Sequence, residues 1–394
     1  MNPFPEDFLW GTATSAHQVE GGNVHNDWWS FGRTTAGRAC DFENRFEQDL
    51  DRARALGTNA FRLSLEWSRI EPRPGERDEA ALAYYERLLG ACRERGLEPV
   101  VTLVQFTLPR WCAQRGGWLA SATLDAFERH VRLVAERLGE LARIFVTVNE
   151  PNVLAGAGYV SGVFPPGRRF RPDLAEDCED ALAEAHRRAA RVLHEKLGDV
   201  LVGASPHLVA WRKTLLDPLG LVRREGEAFN WRFLDAVEDE LDFVGVNYFM
   251  GLRADPLSAL GFAGLVGRPV HAGTSDMGWP VDPRGFEEVL LEAYARYGKR
   301  ILVTENGIAD ATDTKRPAYL AEHVAALERA LRAGARVRGY FHWSLVDNFE
   351  WHEGYAPRFG LYAVDHATQE RTLRASGELY RKLIGERSPA PVSA

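Results

Sequence analysis

Cysteine is scarce in this chain, and long apolar runs and blocks of one charge are absent. No stretch approaches the roughly 18 consecutive apolar residues that a membrane-spanning helix requires, so the sequence predicts no contact with a membrane. Lysine and arginine number 48 against 56 aspartates and glutamates, a net charge of −8, and no basic stripe occurs. We therefore expect no nucleic-acid partner, because a basic surface supplies the affinity for a phosphate backbone.

The four cysteines lie far apart and form neither a CxxC pair nor a zinc-ligand spacing with a histidine. Thiols scattered in this way are typical of reduced core residues and not of a disulfide framework. The first residues lack the basic segment and apolar stretch that mark a secretory signal. The sequence therefore predicts a soluble, cytoplasmic protein with four free thiols.

Short apolar, β-branched runs alternate with helical patterns along most of the 394 residues. One helical pattern has apolar residues at steps of three and four from Leu124 to Leu141, and another runs from Leu320 to Leu331 with Gly334 beyond it. The eight predicted strands are Phe8–Trp10, Ala60–Leu65, Pro99–Val104, Ile144–Val148, Leu201–Ala204, Phe243–Val246, Ile301–Thr304 and Gly339–Trp343. Eight strands separated by helices, with no shift in composition, predict an α/β fold: a single (β/α)8 TIM barrel over residues 1–385, with 386–394 as a flexible tail.

Two segments rich in glycine and proline follow predicted strand ends, Tyr159–Pro172 and Leu260–Pro269. The active sites of such barrels are built from the loops at the carboxyl ends of the strands. We therefore interpret both segments as loops at the mouth of the barrel.

Two glutamates lie just beyond the carboxyl ends of predicted strands on opposite sides of the barrel. Glu150 comes two residues after the end of the fourth strand, and Glu305 directly after the seventh. Two carboxyl groups facing each other across the mouth are what glycoside hydrolysis requires, one to protonate the leaving oxygen and one to attack the sugar. A separation of about 5–5.5 Å would make the enzyme retaining, and about 6.5–9.5 Å would make it inverting.

Seven ordered motifs resemble those of glycoside hydrolase family 1, the β-glucosidase and β-galactosidase family. The resemblance extends from Phe8 to about Leu383. The motifs are Phe8–Gly21, Phe61–Ile70, Thr147–Pro151, Gly245–Tyr248, Thr304–Gly307, Trp343–Trp351 and Arg358–Leu361 with Val364-Asp365. The resemblance implies a β-glycosidase that uses two carboxylates and water, with no metal and no organic cofactor, and specifies no oligomeric state.

The resemblance also implies the roles of the catalytic residues. Glu150 would be the acid/base and Glu305 the nucleophile, and their protonation must then be tuned in opposite directions. Arg62 would be a fixed cation that keeps Glu305 charged. Asn149 would donate to the 2-hydroxyl group of the sugar, an interaction that strengthens in the transition state.

By the same resemblance, the far edge of the sugar is held by a pair of residues and two tryptophans. Gln18 and Glu350 would bind neighbouring hydroxyl groups, because an amide and a carboxylate together donate and accept. Trp343 would form the floor under the sugar ring, and Trp351 would add an indole N–H donor. A carboxylate at Glu350 would repel a phosphate group, so we expect an unphosphorylated substrate.

The run at strand six carries the supporting residues and one departure from the family pattern. The run at strand three carries the other departure. Asn247 and Tyr248 are expected to support the site from strand six. The family places a second tyrosine, which hydrogen-bonds the nucleophile, where this chain has Phe249. It places a histidine that contacts the 3-hydroxyl group where this chain has Gln105, which we expect to bind the sugar less firmly.

The sequence therefore predicts a retaining exo-β-glycosidase that hydrolyses small β-glucosides, β-galactosides or β-fucosides. A transglycosylase that uses the same site is an alternative, since a sugar or alcohol could replace water. A sugar-binding barrel without turnover is a second alternative, supported by Gln105 and Phe249 alone. Such a binder would have no chemical need to keep both Glu150 and Glu305.

Overall fold

The eight apolar runs predicted as strands form one closed, parallel barrel in the computed structural model, which describes residues 3–32, 35–262, 270–271 and 273–387. The strands are β1 (Leu9–Ala13), β2 (Ala60–Ser64), β3 (Glu98–Gln105), β4 (Ile144–Asn149), β5 (Leu201–Ser205), β6 (Phe243–Tyr248), β7 (Arg300–Asn306) and β8 (Val337–Trp343). Each strand pairs with the next in parallel, and β8 pairs with β1 to close the barrel. The predicted (β/α)8 TIM barrel is confirmed.

A long helix follows each strand and packs on the outside of the barrel. These helices are α1 (Phe42–Ala55), α2 (Glu79–Glu94), α3 (Ser121–Leu138), α4 (Pro172–Leu197), α5 (Leu221–Val237), α6 (Pro283–Tyr297), α7 (Arg316–Arg332) and α8 (Ala375–Arg387). The predicted apolar stripe of α3 lies against the barrel, where Phe127, Val131 and Val134 are fully buried. Gly334 follows α7 with a φ of 101°, as the sequence predicts for a residue that ends a helix.

Two apolar layers hold the barrel together. One lies between strands and helices, and the other fills the barrel interior with inward-facing residues such as Val100, Ile144, Leu302 and Phe341. Gly11 of β1 makes room for this interior packing, since a Cβ atom there would lie 2.3 Å from the ring of Phe341. The interior below the active site is therefore closed by side chains, and the mouth above it is left for polar groups.

Three predicted boundaries are wrong or fall outside the described chain. Tyr159–Ser161 ends a helical segment that begins at Pro151, and Pro172 begins α4, so the loop covers only 162–171. Residues 260–262 end the short helix Pro256–Phe262, and 263–269 lie outside the described residues. Residues 386 and 387, predicted as tail, are in the last turn of α8, because that helix continues to pack on the barrel, and 388–394 lie outside the described residues.

Two smaller strand pairs and several short helical turns complete the described chain. Ala210–Arg212 pairs in parallel with Gly251–Arg253 above β5 and β6, and Tyr362–Asp365 forms a hairpin with Glu370–Leu373 before α8. All four cysteines are buried and unpaired, as predicted. No helix in the described ranges combines the length and the apolar character needed to cross a membrane.

Candidate active site

Glu150 and Glu305 lie at the carboxyl ends of β4 and β7, and both side chains are buried. Side chains of a regular strand alternate between its two faces, and this alternation breaks in β7. The pairing of β7 with β6 skips Thr304, which is a β-bulge. The bulge turns Glu305 toward the barrel interior, where its carboxylate meets Arg62.

Glu150 reaches the same interior through a local twist of the backbone. The pairing of β4 with β5 shifts register between Val146 and Asn149. Glu150 itself has a φ of 48°, and Pro151 then begins a helical turn. A left-handed conformation costs a non-glycine residue about 1–3 kcal/mol, and such strain is typical of functional positions.

Arg62 connects the two sides of the site. Its guanidinium group is fully buried and lies 2.5 Å from Oε1 of Glu305. It also donates to Oδ1 of Asn149 at 2.6 Å and to the hydroxyl oxygen of Thr102 at 3.1 Å. With these partners the cation has a fixed position beside Glu305, as the sequence predicted for a residue that keeps this carboxylate charged.

Glu150 is held by neutral donors. Nδ2 of Asn247 donates to Oε1 of Glu150 at 2.9 Å and to Oδ1 of Asn149 at 3.0 Å. The hydroxyl group of Thr304 donates to Oδ1 of Asn247 at 2.7 Å, which fixes the orientation of that amide. Nδ1 of His207 lies 3.2 Å from the same Oε1 of Glu150.

The electrostatics of the pair favour one shared proton. Burial and the charge of Glu150 raise the pKa of Glu305 to about 8, against the opposing effect of Arg62. Two carboxyl groups in one buried site cannot both ionise at neutral pH without a large penalty. Arg62 opposes the rise in the pKa of Glu305 because its guanidinium group binds Glu305 directly, whereas it reaches Glu150 only through two asparagines.

Gln18 and Glu350 meet on the opposite side of the cavity. Nε2 of Gln18 donates to the carbonyl oxygen of Phe349 at 2.8 Å and lies 3.4 Å from Oε2 of Glu350. Burial raises the pKa of Glu350 to about 8, and the charges of Glu305 and Glu150 add to the effect. This carboxyl group can therefore both accept and donate hydrogen bonds near neutral pH, which suits a ligand with several hydroxyl groups.

Trp343 and Trp351 line the same cavity as the two glutamates. Trp343 ends β8 and is almost completely buried. The ring of Trp351 stacks on His17, with centroids 5.7 Å apart and planes 18° apart, and its edge meets Phe106. Burial fixes the position of the Trp343 indole, and packing against His17 and Phe106 fixes that of Trp351.

Three polar atoms of the predicted sugar-binding residues are buried and have no partner within the described part of the chain: Oε1 of Gln18, Oε1 of Gln105 and Nδ2 of Asn149. An unpaired buried polar atom costs about 1–3 kcal/mol, so such atoms need a ligand or water. Two acceptors and one donor near two carboxyl groups match a ligand rich in hydroxyl groups.

Gln105 and Phe249, the two departures from the family pattern, make contacts that the sequence did not predict. Nε2 of Gln105 donates to Oε1 of Glu305 at 3.2 Å, and the carbonyl end of its amide lacks a protein partner. The ring of Phe249 lies flat on His207, with centroids 5.7 Å apart and planes 7° apart. Gln105 therefore gives Glu305 a hydrogen-bond donor, and Phe249 supports the histidine beside Glu150.

Tyr248 is not brought to the site, contrary to the supporting role predicted for it. Its hydroxyl group donates to the carbonyl oxygen of Asp282 at 2.8 Å, and its ring packs beside Phe286 of α6. Tyr248 faces the helices because it follows Asn247 on β6, and neighbouring residues of a strand point to opposite faces.

His207 is the site residue that the sequence did not predict. It lies two residues beyond the end of β5, among eleven histidines, and belongs to none of the motifs. Its position just past a barrel strand is the one signal that could have indicated it. Within the described ranges, no group of three or more histidine, cysteine, aspartate or glutamate side chains is arranged to hold a metal ion.

Comparison with known proteins decides the family. The sequence profile described as glycosyl hydrolase family 1 matches residues 1–214 and 227–388. The chain belongs to glycosyl hydrolase family 1. Residues 215–226, between the two matched ranges, include the first residues of α5 and depart from the family profile.

Similar members of family 1 cover almost the whole chain. Beta-glucosidase A of Thermotoga maritima is 32% identical over 443 aligned positions, which include 98% of each chain. A bifunctional beta-D-glucosidase/beta-D-fucosidase of Bifidobacterium breve is 32% identical, over 98% of this chain and 99% of its own. The structure of the Thermotoga maritima beta-glucosidase in complex with deoxynojirimycin superposes with a TM-score of 0.86 at 29% identity, over 99% of this chain and 100% of that one.

The chain is thus a family 1 glycoside hydrolase of the β-glucosidase type. The chain is a short member of the family. Its alignment with the Thermotoga maritima enzyme extends over 443 positions, whereas this chain has only 394 residues, so the other enzyme has residues that this chain lacks.

Proposed function

We propose that the protein is a retaining exo-β-glycosidase that hydrolyses unphosphorylated β-glucosides, β-galactosides or β-fucosides by double displacement. The observation that carries the proposal is the unequal set of partners of the two buried glutamates. Glu305 pairs with the cation of Arg62, whereas Glu150 has the neutral amide of Asn247 and the ring of His207. One carboxyl group is thus prepared to attack as an anion and the other to donate a proton.

In the first step Glu305 attacks the anomeric carbon of the sugar while the bond to the aglycone oxygen breaks. Glu150 transfers its proton to that oxygen, so the aglycone leaves as an alcohol. In the second step the Glu150 carboxylate removes a proton from water, and the water oxygen displaces Glu305 from the anomeric carbon. The sugar is released with its original β configuration, and both glutamates return to their first protonation states.

The remaining residues bind and orient the sugar. The unpaired Nδ2 of Asn149 is available to the 2-hydroxyl group, and the oxygens of Gln18 and Gln105 to hydroxyl groups farther round the ring. Trp343 is available to pack against the apolar face of the ring. The acidic groups of Glu150, Glu305 and Glu353 lie near Glu350 and would repel a phosphate group, which supports an unphosphorylated sugar.

The decisive experiment tests the role of Glu305. The Glu305→Ala variant should lose nearly all activity on an aryl β-glucoside, because no covalent intermediate can form. Added azide should restore turnover and yield the α-glycosyl azide, since azide then attacks from the face that Glu305 leaves empty. Nuclear magnetic resonance should detect that product.

The unmodified enzyme provides the control. A time course should show the β-sugar as the first product from a β-glycoside, before it equilibrates with the α-anomer. Initial α-sugar would refute double displacement. A panel of aryl glucosides, galactosides, fucosides and mannosides without any release would refute the proposed activity itself.

A further inference from the structure

The cavity that contains the catalytic glutamates is much larger than a sugar ring. Its volume is about 1270 Å³, and it extends from Gln18, Glu305 and Trp343 to the first residues of α5. Pockets for whole drug-sized ligands measure about 300–1,000 Å³. The cavity therefore extends beyond the predicted sugar-binding residues, past Glu150 to the start of α5, where it can receive the leaving group.

Two apolar walls enclose this outer part of the cavity. On one side, the helical turns after β4 present Val153, Ala157 and Val160. On the other side stand Trp211, Val222, Phe229 and Trp279. All these side chains are only half-buried although they are apolar, because they border the cavity. Burying an apolar ligand against them would remove this surface from water.

The second wall is built before any ligand binds. Trp211, Phe229 and Trp279 pack on the buried cluster of Met250 and Leu252. Gly226 of α5 allows Trp211 to lie directly on the helix, since a Cβ atom there would be 2.4 Å from the indole. A preformed wall binds a ligand without an additional ordering cost.

Part of this wall lies outside the ranges that match the family profile. Val222 and Gly226 lie within residues 215–226, the stretch between the two matched ranges, whereas Trp211, Phe229 and Trp279 lie inside them. The start of α5 therefore contributes residues to the cavity that the family profile does not specify.

The charges at the cavity mouth restrict the ligand further. Glu176, Glu225, Asp276 and Glu353 line it. Arg232 also lines it, but its guanidinium group already pairs with carboxylates of α4, among them Asp180 at 2.9 Å. A ligand with a negative charge would be repelled from this mouth.

We propose, on the basis of the function proposed above, that the preferred substrates are β-glycosides of a large, apolar and non-anionic aglycone, and not disaccharides. A second sugar ring would place part of its hydroxyl surface against the half-buried aromatic and aliphatic side chains of the two walls, because the polar groups lie at the mouth. An extended apolar group would fill the same space and cover both walls.

The test compares n-alkyl β-glucosides from ethyl to octyl with cellobiose, all below their micelle concentrations. The leaving-group chemistry is the same along the alkyl series, so differences report on the cavity. We expect kcat/KM to rise by roughly twofold to fourfold per methylene until the cavity is filled, and octyl glucoside to exceed cellobiose by at least about tenfold. A flat or falling series, or a preference for cellobiose, would overturn the proposal and leave the proposed β-glycosidase activity intact.

Matched variants locate the effect. Val222→Ser and Val160→Ser should flatten the dependence on chain length and leave kcat/KM for ethyl glucoside within about twofold. The control is Leu219→Ser, which removes an apolar side chain that is 78% exposed and does not line the cavity. This control should leave the alkyl series unchanged, and equal effects of all three variants would contradict the proposal.

A binding measurement separates this proposal from the failure of catalysis. Octyl and ethyl β-thioglucosides can be titrated against the intrinsic fluorescence of the protein, to which Trp211 and Trp279 contribute. We expect octyl thioglucoside to bind at least about tenfold more tightly, and the difference to shrink in Phe229→Ser. Equal dissociation constants would refute the aglycone site whether or not any glycoside is hydrolysed.

Discussion

Among single residues, His207 contacts Glu150, the proposed acid, without belonging to a recognised motif. Three contacts hold this residue in place. Nδ1 lies 3.2 Å from Glu150, the ring face rests on Phe249, and its backbone amide donates to Oδ1 of Asn152 at 3.2 Å. Asn152 follows Glu150 by two residues in the chain. We interpret His207 as a positioning residue for the proposed proton donor.

Substitution of His207 should therefore affect proton donation selectively. His207→Phe keeps a ring on Phe249 but removes the contact with Oε1 of Glu150. We expect kcat/KM for phenyl β-glucoside to fall by about threefold to tenfold, the value of one hydrogen bond. Dinitrophenyl β-glucoside should change by less than about twofold, because its leaving group needs little protonation.

The comparison variant is Glu150→Ala, which should show the same selectivity for poor leaving groups with a much larger loss. Equal losses on both substrates in His207→Phe would indicate a general disturbance of the site and would contradict a positioning role.

Gln105 and Phe249 predict weak discrimination among sugars. Gln105 donates to Glu305 and has a flexible side chain, so we expect it to hold a sugar hydroxyl group less firmly than a rigid ring would. We expect glucoside, galactoside and fucoside to differ in kcat/KM by far less than a thousandfold. Gln105→His and Phe249→Tyr, singly and together, should change these ratios by up to about tenfold.

Kinetics with the three p-nitrophenyl sugars provide the measurement. A thousandfold preference in the unmodified enzyme would disprove the prediction, as would ratios that neither substitution changes.

At the scale of elements, the segment after β8 is held by a buried carboxylate. Asp347 is fully buried and accepts two hydrogen bonds from Arg374, the residue directly before α8, at 2.7 and 2.8 Å. It also accepts from the backbone amide of Gly360 at 3.0 Å. Glu350 and Trp351 follow three and four residues later. The ion pair thus connects the start of α8 to the segment that carries Glu350 and Trp351.

Removing this charge should destabilise the protein. In Asp347→Asn the guanidinium of Arg374 remains buried without its counterion, which costs about 3–5 kcal/mol. At roughly 2 °C per kcal/mol, the midpoint of thermal unfolding should fall by about 5 °C or more. Scanning calorimetry at neutral pH measures this shift.

The matched control is Arg358→Ala, since Arg358 lies 3.3 Å from Asp347 but is 32% exposed. A partly exposed pair contributes about 0–1 kcal/mol, so the midpoint should change by no more than about 2 °C. Equal shifts in the two variants would argue against the importance of the buried pair.

The eight strands show that a sequence pattern predicts where a strand lies but not how it pairs with its neighbours. All eight were predicted from their apolar, β-branched runs, with errors of one to three residues at the ends, because such runs need burial on both faces. The bulge at Thr304 and the register shift before Asn149 were not predicted. They depend on pairing with neighbouring strands, which no pattern within one strand specifies.

For the whole molecule, the dependence of stability on pH follows from two groups of buried residues. Burial lowers the pKa of five histidines to about 3; they are His17, His130, His186, His323 and His342. Burial raises the pKa of four acids outside the Glu150/Glu305 pair to about 7 or 8; they are Asp27, Glu66, Glu179 and Glu350. The two groups act in opposite directions as the pH changes.

Stability should therefore be greatest between about pH 4.5 and 6.5. Below about pH 4.5 the unfolded histidines bind protons that the folded ones do not, so stability rises with pH. Above about pH 6.5 the unfolded acids have released protons that the folded ones still hold, so stability falls as the pH rises to about 8. Thermal midpoints from pH 3.5 to 8.5 test both limbs.

Glu350→Gln identifies one source of the upper limb. An amide cannot ionise, so the fall in the thermal midpoint between pH 6.5 and 8.5 should be smaller in this variant. A midpoint that is as high at pH 8.5 as at pH 5.5 in the unmodified protein would contradict the argument.

The sequence by itself determined the barrel, the order of its strands and the glutamates at the ends of β4 and β7. Apolar, β-branched runs and helical periodicity are local properties of the chain, so they can be recognised without the tertiary structure. The tertiary structure alone decided that Gln105 donates to Glu305, that His207 contacts Glu150 and that Tyr248 faces α6. It also decided the apolar cavity between α5 and the turns after β4. These features bring together residues far apart in the chain, and their contacts depend on strand register, bulges and helix packing, which arise only when the barrel closes.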